Sequence, residues 1–232
     1  MGKLRIVSNS GRSFTDRREA GRLLGEVLAY LRGQRPVVLG IPRGGVIVAR
    51  DLAAALDADL DIVLSRKLRT PGHLELAMGS VAEDGNVFLN NDVVQQLSIS
   101  DAQIQQERAI QMHEIARRVE MFRSVLPRTS LRDRLVIVTD DGVATGATTQ
   151  AALWSVRLEK PRKLIAAIPV GAQESLERLS RDVDEEICLR APPYFAAVGQ
   201  FYVNFDQVDD EDVLKVIQAE AQRRNRMKVE TR

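Results

Sequence analysis

Short apolar runs alternate with amphipathic segments along most of this chain. Five runs bounded by proline, glycine or charged residues predict buried strands. These runs cover 36–41, 60–68, 134–139, 163–170 and 183–189. Segments with apolar residues three and four positions apart predict helices. They cover 16–32, 45–57, 146–159 and 173–181. Because strands alternate with helices, we expect an α/β fold with a doubly wound, mostly parallel sheet.

The middle of the chain interrupts this alternation. Residues 71–90 predict a loop followed by a hairpin, with Asp84-Gly85 as its turn. Ser100 and Gln103 form the pattern of a capping box. A long helix ending near residue 124 is therefore expected, inserted between two strands of the sheet.

Composition and charge narrow the possible classes of protein. Of the 232 residues, 44% are hydrophobic and 28% charged, which is typical of a globular domain. The net charge of +1 favours neither nucleic acid nor an anionic membrane, so we expect neither as a partner. One cysteine excludes an internal disulfide, and two histidines give no metal cluster. Without an apolar signal-peptide core or a membrane-spanning run, a cytoplasmic protein is expected.

The stretch "LVIVTDDGVATGATT", residues 135–149, carries the most chemical information. An apolar strand ends in Asp140 and Asp141, and a loop of Gly, Ala and Thr then enters a helix. Such a loop presents backbone amides to a phosphate. Neither this stretch nor "GIPRGGVI" has the residues of a nucleotide P-loop or of a dinucleotide fingerprint. A plain turn with a threonine cap is the alternative.

This stretch resembles the signature of type I phosphoribosyltransferases, which bind 5-phosphoribosyl 1-pyrophosphate (PRPP). Three further stretches resemble that family in the right order. "IPRGG" (41–45) is similar to its pyrophosphate loop, "SRKL" (65–68) to the start of its mobile catalytic loop, and "YFAAVGQFYVNF" (194–205) to the hood of the purine branch. The resemblance covers about residues 14–210 and implies the type I phosphoribosyltransferase fold with a mobile hairpin loop.

The resemblance implies a single domain over residues 1–232. Its expected parts are a core at about 14–190, an inserted helical segment at about 91–126, a hood at about 191–212 and a charged, solvated tail. A homodimer is also expected. The long helix departs from the purine and orotate enzymes, and it either covers the site or forms a dimer contact.

The resemblance also assigns roles to the two phosphate-binding loops. The ribose 5′-phosphate would be held by Ala144, Thr145, Gly146, Ala147 and Thr148. The pyrophosphate would be held by Pro42, Arg43, Gly44 and Gly45, with a cis peptide between Pro42 and Arg43.

The catalytic residues are implied in the same way. Asp140 and Asp141 would bind the ribose hydroxyls, directly or through Mg²⁺ and water, and so act as the metal ligands. Arg66 and Lys67 would stabilise the leaving pyrophosphate. A solvated strand end is the alternative for these two basic residues.

The acceptor base is the open part of the prediction. Phe195, Ala196 and Val198 are the base-binding candidates, and a packed edge strand or hood core is the alternative for their segment. Ala144 stands where hypoxanthine-guanine enzymes carry an aspartate, whereas the adenine branch has alanine there. A purine-like acceptor is favoured, which suggests nucleotide salvage.

The resemblance thus predicts an enzyme, a Mg²⁺-dependent phosphoribosyltransferase acting on PRPP and a nitrogenous base. A non-catalytic PRPP-binding regulator is the first alternative. An unrelated phosphate-binding α/β protein is the second.

Overall fold

A computed structural model describes residues 2–230, with side chains throughout except at 74, 75 and 228–230. Its nine strands, in chain order, are β1 (Lys3–Ser8), β2 (Val37–Gly40), β3 (Asp59–Ile62), β4 (Ser65–Thr70), β5 (His73–Ala82), β6 (Val87–Leu89), β7 (Leu135–Thr139), β8 (Lys163–Val170) and β9 (Glu185–Arg190). Six form a parallel sheet in the order β1-β9-β8-β7-β2-β3.

Seven α-helices lie within the described range. They are α1 (Arg17–Val27), α2 (Gly44–Leu56), α3 (Asn91–Gln96), α4 (Asp101–Arg123), α5 (Ala147–Leu158), α6 (Gln173–Leu179) and α7 (Asp210–Glu230). The predicted capping box is confirmed, because Ser100 accepts from the Gln103 amide while the Gln103 side chain accepts from the Ser100 amide.

The parallel sheet is covered by helices on both faces. Alternate residues of one strand enter different cores: Val38 packs in a core with residues of α1, α2 and α7, and Val37 and Leu39 pack in a core with residues of α5 and α6. The predicted doubly wound α/β fold is therefore confirmed.

The predicted strand 60–68 is wrong, because it is two strands in different sheets. The chain leaves the parallel sheet after Ile62 and begins β4 at Ser65. β4, β5 and β6 form a separate antiparallel sheet. An apolar run indicates burial but not hydrogen-bond partners, so the break was not predictable from the run.

The predicted loop at the start of 71–90 is short, since only a turn at Pro71 and Gly72 precedes β5, and β5 and β6 form the predicted hairpin. Beyond it, the Asp84-Gly85 turn is confirmed: the Gly85 amide donates to the Ala82 carbonyl, and Gly85 has φ +79°. The small sheet packs against α4 through a third core that includes Met78 and Ile115.

The charged C-terminal segment was expected to be a solvated tail; its residues 222–230 belong to α7, and 231–232 lie outside the described residues. Glu220 of α7 is only 6% exposed, accepts from the Leu60 amide and pairs with Arg223 and Arg224. Basic residues three and four positions along a helix reach the same carboxylate, so they stabilise the helix here.

Candidate active site

The carboxyl ends of β3, β2 and β7 bring the three predicted loops together. Gly40, the last residue of β2, pairs with Ile62 on one side and Thr139 on the other. The loops after Gly40, Ile62 and Thr139 therefore start side by side at one edge of the sheet. Ligands bind at this edge in doubly wound folds.

The loop at 144–148 leads into the uncapped N-terminus of α5. Gly146 is the N-cap residue with φ +74°, a conformation that glycine adopts without steric cost, and no side chain caps this helix start. The N-cap residue is thus a glycine and not one of the neighbouring threonines. The first amides of α5 lack intrahelical acceptors, so they can bind an anion.

The carbonyl groups of the same loop are held by α6. The Ser175 hydroxyl donates to the Ala144 carbonyl at 2.6 Å, and the Arg178 guanidinium donates to the Thr145 carbonyl. The side chain of Thr148 is exposed. With its carbonyls bonded to α6, the loop leaves its amides for a ligand.

The two acids have different surroundings. Asp140 Oδ1 accepts from the Asp141 amide at 2.9 Å, whereas Asp141 Oδ2 pairs with Arg17 Nε at 2.8 Å. Burial, and next the charge of Asp141, raise the pKa of the Asp140 carboxyl well above its ordinary value. A bound cation would oppose that shift.

The glycines of the 41–45 loop allow it to pack on the acids. A Cβ atom on Gly44 would collide with the Asp141 carboxylate, and one on Gly45 would lie 2.8 Å from the Asp140 Cα atom. The Pro42–Arg43 peptide is cis, as the resemblance implied. Arg43 is exposed just before α2, so its guanidinium is accessible to a ligand.

Sequence reasoning missed the residues that hold Asp141. Arg17 also donates to the Asp206 carbonyl and lies 3.8 Å from the centroid of the Phe205 ring. Tyr202 donates its hydroxyl proton to the Asp141 carbonyl at 2.5 Å. The aromatic residues of 201–205 were the only sequence feature that could have pointed to this contact. Nothing in the sequence around Arg17 indicates that its partner is Asp141.

A cavity of about 430 Å³, here called the Asp141 cavity, opens beside these groups. Its walls come from α1, the 41–45 loop, the strand end after β7 and the segment before α7. They include Arg17, Arg43, Gly44, Asp141, Phe205 and Asp206. Phe205 is 37% exposed, so it is the aromatic ring that this cavity offers to a ligand.

The predicted base-binding residues lie in the predicted hood, and Val198 lies close to the loop after β7. Phe195 packs on Phe201 with ring centroids 5.0 Å apart, and Ala196 is exposed. Val198 lies so close to Gly142 that a Cβ atom there would collide with it. None of the three lines the Asp141 cavity, so their role stays a prediction.

A second cavity, here called the basic cavity, has a volume of about 210 Å³. It lies between the 41–45 loop, β4, α4 and α5. Its charged lining consists of Arg66, Lys67, Arg69, Arg118 and Glu114. Arg66 and Lys67 are half-buried in this wall, and their role at the leaving group stays a prediction.

A buried glutamine of α4 positions Arg66. Arg66 Nε donates to Gln111 Oε1 at 2.8 Å, and Gln111 Nε2 donates to Glu107 at 2.8 Å. Gln111 is 2% exposed. Both polar ends of this side chain are therefore bonded, which fixes its orientation.

The acids suit a Mg²⁺ ion that is shared with a substrate. Among the residues whose side chains are described, no group of three or more His, Cys, Asp or Glu is placed to hold a metal. Asp140 and Asp141 supply carboxylate oxygens only, and Asp141 is already paired with Arg17. Mg²⁺ binds such sites through one or two carboxylates, with water and phosphate oxygens as the other ligands.

No helix in the described part of the chain combines the length and apolar character needed to span a bilayer.

Comparison with known proteins agrees with this geometry. The sequence profile described as "Phosphoribosyl transferase domain" matches residues 14–206. The chain is 43% identical over 201 residues to two Mycobacterium tuberculosis proteins, "Putative phosphoribosyl transferase MT0597" from strain CDC 1551 / Oshkosh and "Putative phosphoribosyl transferase Rv0571c" from strain H37Rv. Each match covers 87% of this chain and 45% of the relative, so the chain spans about half their length.

A solved structure extends the likeness to three dimensions. The crystal structure of TT1426 from Thermus thermophilus is 43% identical with a TM-score of 0.85, and the match covers 89% of this chain and 98% of that one. The profile match covers most of the chain, including both acids and all three loops at the sheet edge. The chain therefore belongs to the phosphoribosyl transferase domain family.

Proposed function

We propose that this protein transfers the 5-phosphoribosyl group of PRPP to a nitrogenous base and releases pyrophosphate, with Mg²⁺ as cofactor. One observation carries the proposal: an uncapped helix start, two acids and the glycine-containing 41–45 loop lie side by side at one sheet edge. Each matches a different part of PRPP in charge and hydrogen-bonding capacity. A purine-like base is the favoured acceptor, on the resemblance of the hood.

The phosphate and the sugar would bind to adjacent parts of the β7–α5 connection. Amides of 144–148, with the hydroxyls of Thr145 and Thr148, would bind the 5′-phosphate. Asp140 and Asp141 would accept hydrogen bonds from the ribose hydroxyls. The ribose then separates the acids from the phosphate, so the two negative groups do not oppose each other at close range.

In the transfer itself, the C1–oxygen bond to pyrophosphate breaks and its electron pair leaves on the pyrophosphate oxygen. A ring nitrogen of the base forms the new bond to C1 and gives up its proton to water. The sugar passes through an oxocarbenium-like state, as in other glycosyl transfers. Arg43, Arg66 and Lys67 would stabilise the growing charge on pyrophosphate. Bound Mg²⁺ would supply further positive charge from its place near Asp140 and Asp141.

The acceptor must be deprotonated without an acid or base at position 144. Ala144 has no ionisable group, so the proton of the ring nitrogen passes to water. We expect small-molecule substrates, a cytoplasmic location and a homodimer, and no nucleic-acid or membrane partner.

The test is a screen for pyrophosphate release from PRPP with Mg²⁺. Purines, pyrimidines and pyridine carboxylates serve as acceptors, and the ribonucleotide product is identified by mass spectrometry. We expect release with at least one purine, and its loss when Mg²⁺ is chelated. PRPP binding without release for any base would favour the regulator, and absence of PRPP binding would refute the proposal.

A further inference from the structure

The inserted helix α4 contributes a charged side chain to the basic cavity. Arg118 lines this cavity together with Arg66, Lys67 and Arg69 of β4. The cavity also reaches Pro42 of the pyrophosphate-loop candidate. A residue from the insertion thus shares a wall with residues that the family resemblance assigns to the leaving group.

Positive charge exceeds negative charge in the lining of this cavity. Four basic side chains and one acidic side chain, Glu114, form its charged lining. Burial lowers the pKa of the Arg118 guanidinium; Asp210 opposes this effect, and the charges of Arg43 and Arg66 add to it. Like charges brought together in a concave wall repel one another, and an anion bound between them removes that cost.

The ion pair between α4 and α7 is made mainly by Arg117 and only weakly by Arg118. Arg117 donates to Asp210 Oδ2 at 2.9 Å, whereas Arg118 approaches Asp210 Oδ1 only at 3.9 Å. The Arg118 side chain is 29% exposed and that of Arg117 is 64% exposed. Arg117 therefore makes the closer contact with α7, whereas Arg118 lines the cavity and approaches Asp210 only at the longer distance.

We propose that Arg118 directly contacts the pyrophosphate group of PRPP, beside Arg43, Arg66 and Lys67. The inserted helix α4 then forms part of the leaving-group site. A helix that only covered the site, or only made a dimer contact, would not bind pyrophosphate. This inference rests on the proposed function, because it assumes that pyrophosphate occupies the basic cavity. A pyrophosphate ion offers several charged oxygens, enough for guanidinium groups from β4 and α4 together.

The neighbouring arginines provide a matched test. Arg118→Ala and Arg117→Ala each remove one guanidinium from the same turn of α4 and one contact with Asp210. Pyrophosphate with Mg²⁺ and, separately, ribose 5-phosphate are titrated into the full-length chain by calorimetry. Ribose 5-phosphate is the control ligand, since it fills the 144–148 loop and lacks the pyrophosphate group.

We expect Arg118→Ala to weaken pyrophosphate binding about 10- to 100-fold, the effect of one lost charged hydrogen bond. Ribose 5-phosphate should bind as in the wild type, and Arg117→Ala should change neither affinity by more than about twofold. Arg118→Lys, which keeps the charge, should restore part of the loss. Thermal unfolding establishes that each variant is folded.

Three results would overturn the inference alone: wild-type pyrophosphate affinity in Arg118→Ala, an equal loss in Arg117→Ala, or an equal loss of ribose 5-phosphate binding. A wild-type protein that binds neither PRPP nor pyrophosphate would refute the proposed function as well. Failure of the Arg118 inference can therefore be distinguished from failure of the proposed function.

Discussion

Asp141 is held by residues from distant parts of the chain. Arg17 pairs with its carboxylate at 2.8 Å, and Tyr202 donates to its carbonyl at 2.5 Å. Gly44 lets the backbone of the 41–45 loop approach it. A carboxylate restrained in this way cannot rotate freely, so it is oriented for a ligand before the ligand binds.

We predict that Arg17→Met lowers the free energy of unfolding by about 2 kcal/mol, because it leaves a largely buried carboxylate without its partner. In the double variant Arg17→Met/Asp141→Asn the losses should be clearly less than additive, since no unpaired charge remains. Urea unfolding measures all three. Arg18→Met, at an exposed neighbour, is the control, and strictly additive losses would contradict the pairing.

At the scale of elements, α4 is a fixed wall of the site. Arg123 near its end pairs with Asp61 at 2.6 Å and with Glu83 at 2.7 Å. Arg117 connects its middle to α7. Its apolar face packs on the small sheet. Because α4 is attached at several points, its polar residues can position side chains of β4.

Gln111 is the positioning residue for Arg66. We predict that Gln111→Leu, which has a similar volume, lowers kcat about tenfold while KM for PRPP changes little, because Arg66 loses its orientation toward the leaving group. Steady-state kinetics with the acceptor found in the screen measures both constants.

Two comparisons separate this role from a general loss of structure. Gln106→Leu, at an exposed position of the same helix, should leave kcat unchanged. In an Arg66→Ala background, Gln111→Leu should add no further defect. A full additional loss there would exclude action through Arg66.

For the whole molecule, a buried acid in the parallel sheet connects stability to pH. Glu186 of β9 lies between β1 and β8 and is 0% exposed. Neither of its carboxyl oxygens has a hydrogen-bond partner among the described residues. Burial, and then the charge of Asp182, raise its pKa from 4.5 to about 8. The folded protein therefore keeps a proton that the unfolded chain releases.

The direction of the pH effect follows from this difference. Between the ordinary pKa of 4.5 and the folded value of about 8, the folded state binds more protons than the unfolded state. Stability should therefore fall as pH rises through this window, with a slope of up to about 1.4 kcal/mol per pH unit. Glu186→Gln should remove that contribution.

Urea unfolding of wild type and Glu186→Gln from about pH 5 to about pH 8 measures this slope. Glu174→Gln, at an exposed acid of α6, should leave the slope as in the wild type. An unchanged slope in Glu186→Gln would show that this carboxyl does not hold the proton.

Local features of the molecule were readable from local sequence. The Ser100–Gln103 capping box and the Asp84-Gly85 turn are set by residues three positions apart or fewer, and both are confirmed. The phosphate-binding candidates at 144–148 are consecutive in the sequence. They are therefore close together in any fold that connects β7 to α5. By contrast, the break after Ile62 depends on which strands pair with the residues before and after it. The sequence of the run itself does not specify those partners.

The sequence by itself determined the alternation of strands and helices, the family resemblance and the consecutive residues 140–148. Only the tertiary structure decided which residues from distant parts of the chain contact the site residues. Arg17 and Asp141 are 124 residues apart, and Arg66 and Gln111 are 45 apart. Periodicity tells which face of an element is buried, whereas the order of strands in the sheet and the packing of α4 decide which side chains meet at its edge.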